Sequence, residues 1–76
     1  MEKQLSQLKP SVKGTIKLIK SSGALKRKLL DMGVIPGSEL EVIRVAPLGD
    51  PVEVRVKGYN LSLRKEEAKQ VTIEVI

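Results

Sequence analysis

The fold is decided by the stretch Gly23-Ala-Leu-Lys-Arg-Lys-Leu-Leu-Asp-Met-Gly33-Val-Ile-Pro-Gly37. It reads as a short basic helix that is followed at once by a turn. Three of its apolar residues, Leu25, Leu29 and Met32, are spaced four and three apart, which places them on one side of a helix. We expect that side to pack against the rest of the protein.

Both ends of this helix carry local signals. A serine hydroxyl satisfies free N–H groups in a first helical turn, so Ser21 or Ser22 is expected to cap the helix. Gly33 supplies the left-handed backbone conformation that ends helices at little cost. Pro36-Gly37 then turns the chain. The sequence therefore predicts a helix that leads directly into a β-strand.

Alternation of apolar and polar residues predicts five short strands. The first lies within Val12–Lys20, with Ile16 and Leu18 on one face and Ile19 largely on the other. The remaining strands are predicted at residues 38–45, 52–57, 61–63 and 71–75, and a helical turn is predicted at residues 65–70. Gly58-Tyr-Asn60 is expected to form the turn between the third and fourth strands.

This order of elements predicts a mainly β protein. We expect a small, closed SH3-like barrel of about five strands, because flat sheets leave edges that so short a chain cannot cover. One short α-helix lies between the first and second strands, and a short helical turn precedes the last strand. Residues 1–76 are expected to form a single SH3-like domain.

Charge is distributed unevenly along the chain. Residues 1–30 carry eight lysines or arginines and one acidic residue, whereas residues 31–76 carry six basic and eight acidic residues. The net charge of +5 is therefore concentrated near the amino terminus. Such a bias attracts an anionic partner, or it simply keeps a small protein soluble. Charge alone does not separate these two interpretations.

Composition excludes most kinds of catalytic and metal site. The chain has no histidine and no cysteine, so the imidazole and thiolate ligands that often bind transition metals are absent. Glu39, Glu41 and Glu53 are expected on an outward face beside basic residues, as a solvated surface. No nucleophile–base pair or phosphate-binding loop is present. We therefore expect no catalytic residues, no metal site and no cofactor.

The sequence also bears on location and on nucleic-acid binding. It has no apolar run of roughly 20 residues and no signal-peptide core, so a cytoplasmic protein is expected. The pI of about 9.8 is compatible with a small RNA-binding barrel. Single-strand binders, however, stack bases on several aromatic side chains, and Tyr59 is the only aromatic residue. We expect Tyr59 to cover one end of the barrel, and RNA binding is the alternative function.

Several segments together resemble the FeoA family of ferrous iron transport accessory proteins. They are Leu25-Lys-Arg-Lys-Leu-Leu-Asp-Met-Gly33, Pro36-Gly37, Arg44-Val-Ala-Pro-Leu-Gly-Asp-Pro51 and Leu61-Ser-Leu-Arg64. The resemblance runs from about Leu5 to Val75 and departs from the family at Ser11, where glycine is frequent. It implies a cytoplasmic SH3-like accessory protein, not an enzyme, that acts with a membrane ferrous-iron transporter bearing a guanine-nucleotide-binding domain.

Two regions are candidates for partner binding. The first is the helix side opposite the apolar stripe, where Lys26 and Arg27 flank Leu30. Leu30 is either a partner anchor or a residue covered by neighbouring loops, and an Arg27–Asp31 ion pair is expected to be a local contact. Arg27 is also a minor candidate for stabilising phosphate charge in a partner's nucleotide site.

The second region is the loop between the second and third strands. Its candidate residues are Pro47, Leu48, Asp50 and Pro51. Two prolines restrict this loop, which lowers the entropy lost on binding, and Leu48 lies at its tip. The loop is therefore either a docking element or only a rigid hairpin turn.

Overall fold

The computed structural model covers all 76 residues and confirms a mainly β protein. It has six strands and two α-helices, in the order β1 (Glu2–Gln4), β2 (Lys13–Ile19), α1 (Ala24–Asp31), β3 (Glu39–Val45), β4 (Val52–Val56), β5 (Tyr59–Leu63), α2 (Lys65–Ala68) and β6 (Val71–Val75). A 3₁₀ turn follows β1 at Leu5–Gln7. Strand β1 was not predicted, because three polar residues carry no alternating pattern; its pairing with β6 holds it in place.

All strand pairs are antiparallel, and the strand order in the sheet is β1-β6-β2-β3-β4-β5. Fifteen buried apolar residues form one core cluster, drawn from β2 to β6, both helices, the 3₁₀ turn and loop near the amino terminus, and the connection between α1 and β3. The molecule measures 29 × 24 × 23 Å, so the sheet curls around that core. The hydrogen-bond ladder does not close between β1 and β5, which remain the two edge strands, so the prediction that the barrel is closed is wrong.

The side chains of strand β2 do not lie on the faces of the sheet that were predicted for them. Ile16 and Ile19 are both buried, whereas Leu18 is 40% exposed, so the predicted grouping of Ile16 with Leu18 is wrong. The register with β6 shifts between Ile16 and Leu18, which makes Lys17 the extra residue of a β-bulge. A bulge moves the residues beyond it to the opposite face, and no feature of the local alternation reveals it.

Strands β3 and β4 have the predicted faces. Leu40 and Val42 of β3 are buried, as are the three valines of β4. The connection from β4 to β5 is shorter than predicted, since only Lys57 and Gly58 form the turn, with φ angles of 54° and 85°. These angles are those of a type I′ turn, which suits the twist of a hairpin. Tyr59 and Asn60, predicted as turn residues, begin β5 instead.

The first turn contains a residue in an unfavourable conformation. Ser11 has a φ angle of +74°, in the left-handed region where glycine is favoured. Its N–H donates to the carbonyl oxygen of Val42 at 2.7 Å, which ties the turn to β3. The departure from the FeoA pattern at this position therefore falls on a residue whose backbone conformation suits glycine.

Candidate protein-docking surface

Helix α1 buries one side and exposes the other. Leu29 is completely buried, and Leu25 and Met32 pack partly buried against the core, which confirms the predicted apolar stripe. Lys26 and Arg27 are exposed on the other side and form no ion pair. Leu30 has 36% of its surface exposed to solvent. The outer side of α1 thus combines two uncommitted cations with an accessible apolar side chain.

The amino-terminal end of α1 is not capped by a serine, so that prediction is wrong. Gly23 occupies the N-cap position with φ of 70° and ψ of −139°, and no side chain caps the helix. Ser21 instead donates from its hydroxyl to the Ser22 carbonyl oxygen at 3.4 Å. The chain enters the helix through a positive φ angle that glycine adopts far more readily than serine.

The carboxyl-terminal end of α1 is covered by Tyr59. Its hydroxyl donates to the Met32 carbonyl oxygen at 3.3 Å. Gly33, which ends the helix with φ of +101°, lies beside the hydroxyl end of the ring, and a Cβ atom added there would collide with the Tyr59 hydroxyl. Tyr59 was predicted to cover an end of the barrel; in the structure it fixes α1 to strand β5.

A second polar contact joins α1 to α2, and the sequence patterns did not predict it. Lys28 Nζ donates to Glu67 Oε2 at 2.6 Å, and the Arg64 N–H donates to Glu67 Oε1 at 2.8 Å. Hydrogen bonding from Lys28, followed by that from Arg64, holds the pKa of Glu67 below its ordinary value of 4.5. The available signal was a glutamate three residues after Arg64, the residue that precedes the predicted helical turn.

The predicted ion pair between Arg27 and Asp31 is absent, so that expectation is wrong. Both side chains are exposed, where such a pair gains only a few tenths of a kcal/mol. The order along the helix, with the cation first, is also the weaker of the two arrangements. Arg27 therefore keeps its full donor capacity.

The loop at residues 47–51 is a well-ordered hairpin connection between β3 and β4. The Gly49 N–H donates to the Ala46 carbonyl at 2.7 Å, and the Ala46 N–H donates to the Pro51 carbonyl at 3.1 Å. Leu48 projects from this frame with 90% of its surface exposed. The predicted position of an exposed leucine at the loop tip is confirmed.

Asp50 makes contacts inside the molecule. Its Oδ1 accepts the Lys65 N–H at 3.1 Å and lies 3.9 Å from Arg64 Nη1, so it fixes the loop to the start of α2. Pro47 and Pro51 line a depression beside β3. The outer side of α1 lines a different one. The structure therefore does not bring the two predicted docking regions into one groove.

A family model described as the FeoA domain matches residues 3–75 of this chain. The chain belongs to the FeoA family. A relative in Porphyromonas gingivalis is named a fusion of Fe(2+) transport protein A with the Fe(2+) transporter FeoB and is 36% identical over 73 residues. The match covers 96% of this chain but only 9% of that relative, so this chain spans about a tenth of its length.

Two solved FeoA structures share the fold. Iron(II) transport protein A from Clostridium thermocellum is 44% identical, with a TM-score of 0.93 over 97% of this chain and 46% of that one. FeoA from Stenotrophomonas maltophilia, solved with zinc and described as a procaryotic SH3 domain protein, is 27% identical. Its TM-score is 0.80 over 97% of this chain and 89% of that one. The SH3-like architecture predicted from the sequence is confirmed.

The carboxylates of this FeoA chain are dispersed. No group of three or more acidic, histidine or cysteine side chains lies close enough together to hold a metal ion. Glu53 lies 3.7 Å from Arg44 Nε, and Glu41 is opposite Arg55 in the β3–β4 register. Neither helix has the length and apolar character needed to span a membrane.

Proposed function

We propose that this FeoA chain is a cytoplasmic, non-enzymatic accessory protein of ferrous-iron uptake. It docks on the cytosolic part of a membrane ferrous-iron transporter that carries a guanine-nucleotide-binding domain, and it modulates transport. The observation that carries the proposal is the P. gingivalis relative, in which transport protein A and FeoB are named as one fused chain. Fusion keeps two partners at high effective concentration, which is useful when they act together.

The outer side of α1 is the proposed primary contact. Lys26 and Arg27 are free to pair with acidic groups of the transporter, and such pairs raise association rates and fix orientation. Leu30 lies between them and loses its remaining exposed surface on docking. Because α1 is already fastened by Tyr59 and by Lys28, little further ordering is required when it binds.

The loop at residues 47–51 is the proposed secondary contact. Leu48 offers nearly its whole side chain for burial, and the hydrogen bonds within the loop hold it in place beforehand. Pro47 and Pro51 flank it, whereas Asp50 contributes by tying the loop to α2. The two contacts lie in separate depressions, so the transporter is expected to meet two patches of this small protein.

Charge reversal on α1 tests the proposal. The variant Lys26→Glu/Arg27→Glu is expected to reduce co-purification with the full-length transporter by about tenfold or more, because it removes attraction and adds repulsion. A charge-matched control, Lys3→Glu/Lys9→Glu, changes two exposed and unpaired lysines elsewhere. This control variant should still co-purify with the transporter. If both variants bind as the wild type does, α1 is not the docking surface.

The RNA-binding alternative predicts a different outcome in a separate titration. A single-stranded RNA oligonucleotide would then bind with nanomolar to micromolar affinity that falls steeply with salt. Stacking of successive bases requires several aromatic side chains, and Tyr59 is the only one in the chain. We expect no such binding.

A further inference from the structure

Strand β5 is an edge strand with an open side. It pairs only with β4, and no other strand follows it in the sheet. Val56 and Tyr59 flank the two-residue turn, so they exchange both of their backbone hydrogen bonds. Alternation then directs the N–H and C=O groups of Asn60 and Ser62 away from β4. None of these four groups takes part in the turn, loop or side-chain hydrogen bonds of the molecule.

The other edge of the sheet is protected, whereas β5 is not. Strand β1 is three residues long and carries Glu2 and Lys3, and short charged strands discourage pairing. Strand β5 has five residues, Tyr59-Asn-Leu-Ser-Leu63, without a charge, a proline or a bulge. Asn60 and Ser62 are exposed, and Tyr59 retains 48% of its exposure. These are the features of an edge that is able to accept another strand.

The charges around β5 are basic and largely uncommitted, apart from Glu53 of β4, which lies opposite Ser62 and 3.7 Å from Arg44 Nε. Lys57 lies at its start and Lys65 just beyond its end, and neither forms an ion pair. Arg64 reaches only one carboxylate oxygen, that of Asp50 at 3.9 Å. Arg55 Nε donates to Asn60 Oδ1 at 3.2 Å, which holds the guanidinium on the outer face of the sheet beside the open edge. The terminal nitrogens of Arg55 remain available to a carboxylate.

We propose that the open side of β5 accepts an extended acidic segment of a partner protein as an additional strand. Backbone groups of Asn60 and Ser62 supply the pairing, and a glutamate or aspartate opposite Asn60 lies on the same face as Arg55. A second copy of this chain is a poor occupant. Antiparallel pairing of two β5 strands brings Lys57 of one copy against Lys65 of the other, and like charges in such positions repel.

This surface is separate from the outer side of α1, so the inference goes beyond the proposed function. Lys26, Arg27 and Leu30 contribute nothing to the pairing. A failure of the α1 charge-reversal experiment leaves the β5 inference standing, and the reverse also holds.

The probe is a peptide that alternates glutamate with valine over eight residues, because strand alternation places every glutamate on one face. Amide hydrogen exchange of the wild-type chain is followed by NMR as this peptide is added. We expect exchange at Asn60 and Ser62 to slow by about tenfold or more at saturation, with weaker binding at high salt. The same peptide with lysine in place of glutamate should produce no such protection.

Two variants distinguish strand addition from attraction by charge alone. Ser62→Pro removes one outward N–H without touching the β4–β5 ladder and should weaken peptide binding by about tenfold. Ser62→Ala keeps that N–H and should bind as the wild type does. Should Ser62→Pro fail to fold, the exchange measurement on the wild type decides, because attraction by charge alone does not slow the Asn60 and Ser62 amides selectively. Equal binding by these variants, protection confined to α1, or dimerisation through β5 without peptide would each overturn the inference.

Discussion

Gly33 ends α1 under two separate restrictions. Its φ angle of +101° is unfavourable for any side chain, and a Cβ atom would also strike the Tyr59 hydroxyl. Gly37 shares the first restriction, with φ of +95°, but has open space around it. A side chain at Gly37 would therefore strain only the backbone, whereas a side chain at Gly33 would also displace Tyr59.

Replacing each of these glycines by alanine should give unequal losses. Gly37→Ala is expected to lower the free energy of unfolding by about 1 kcal/mol, from backbone strain alone. Gly33→Ala should lower it by about 2 kcal/mol, because the Tyr59–Met32 hydrogen bond is also displaced. Urea denaturation measures both. In a Tyr59→Phe background, the stability lost through Gly33→Ala should fall to about that lost through Gly37→Ala. If the two losses remain as different as in the wild type, the Tyr59 hydroxyl is not the obstacle.

The sequence indicated only half of what Gly33 does. A glycine after a helical stripe predicts a helix end, since that requirement is local. Its contact with Tyr59 is between residues far apart in the sequence and arises only once β5 lies beside α1. The serine cap failed for a related reason: local preference favours serine, but the path from β2 into α1 requires the positive φ angle of Gly23.

At the scale of elements, Glu67 is the residue that holds the two helices together. It is nearly buried and accepts hydrogen bonds from Lys28 of α1 and from the backbone of Arg64 before α2. Its pKa is lowered in the folded state. A lowered pKa means that ionised Glu67 stabilises the fold above the ordinary carboxyl pKa, and that this contribution disappears as the pH falls through the folded pKa.

The variant Glu67→Gln should therefore lose stability in a pH-dependent way. At pH 7 we expect a loss of about 1–2 kcal/mol in the free energy of unfolding, because two hydrogen bonds to a charged acceptor are weakened. The difference from the wild type should shrink as the pH falls below 4.5. Glu66→Gln is the control, since that side chain is 84% exposed and should change stability by less than about 0.5 kcal/mol. A pH-independent loss would assign the effect to packing.

Periodicity predicted the elements whose burial follows a single pattern and failed where the pattern is broken. The stripe of α1 and the alternation of β4 were found because each element buries one face. In β2 the bulge at Lys17 exchanges the faces halfway along the strand. Strand β1 has no apolar face, so only its pairing partner β6 defines it.

At the scale of the whole molecule, the candidate docking residues were predictable and their arrangement was not. Exposure of Lys26, Arg27 and Leu48 follows from helical periodicity and from the position of a loop tip. Whether α1 and the loop at residues 47–51 share a surface depends on how the sheet curls, which a local pattern does not encode. The curled sheet places them in separate depressions.

Two charge-reversal variants separate the general attraction of a basic protein from the contact made by α1. Lys26→Glu/Arg27→Glu and Lys3→Glu/Lys9→Glu each reverse two of the charges that make up the net +5, and each leaves +1. Long-range steering depends mainly on total charge, so both variants should associate more slowly with an acidic transporter surface, by about two- to threefold at low salt. Only the α1 variant should also dissociate faster, because it alone removes groups buried in the contact.

Surface plasmon resonance with the full-length transporter immobilised in lipid nanodiscs measures both rates. At about 0.5 M salt the association rates of the wild type and of the two variants should converge, since charges are then screened within several ångströms. The faster dissociation of the α1 variant should persist, because screening weakens contacts inside a dry interface much less. Equal dissociation rates for the two variants would show that α1 attracts the transporter without touching it, and the contact would then have to lie elsewhere on the molecule.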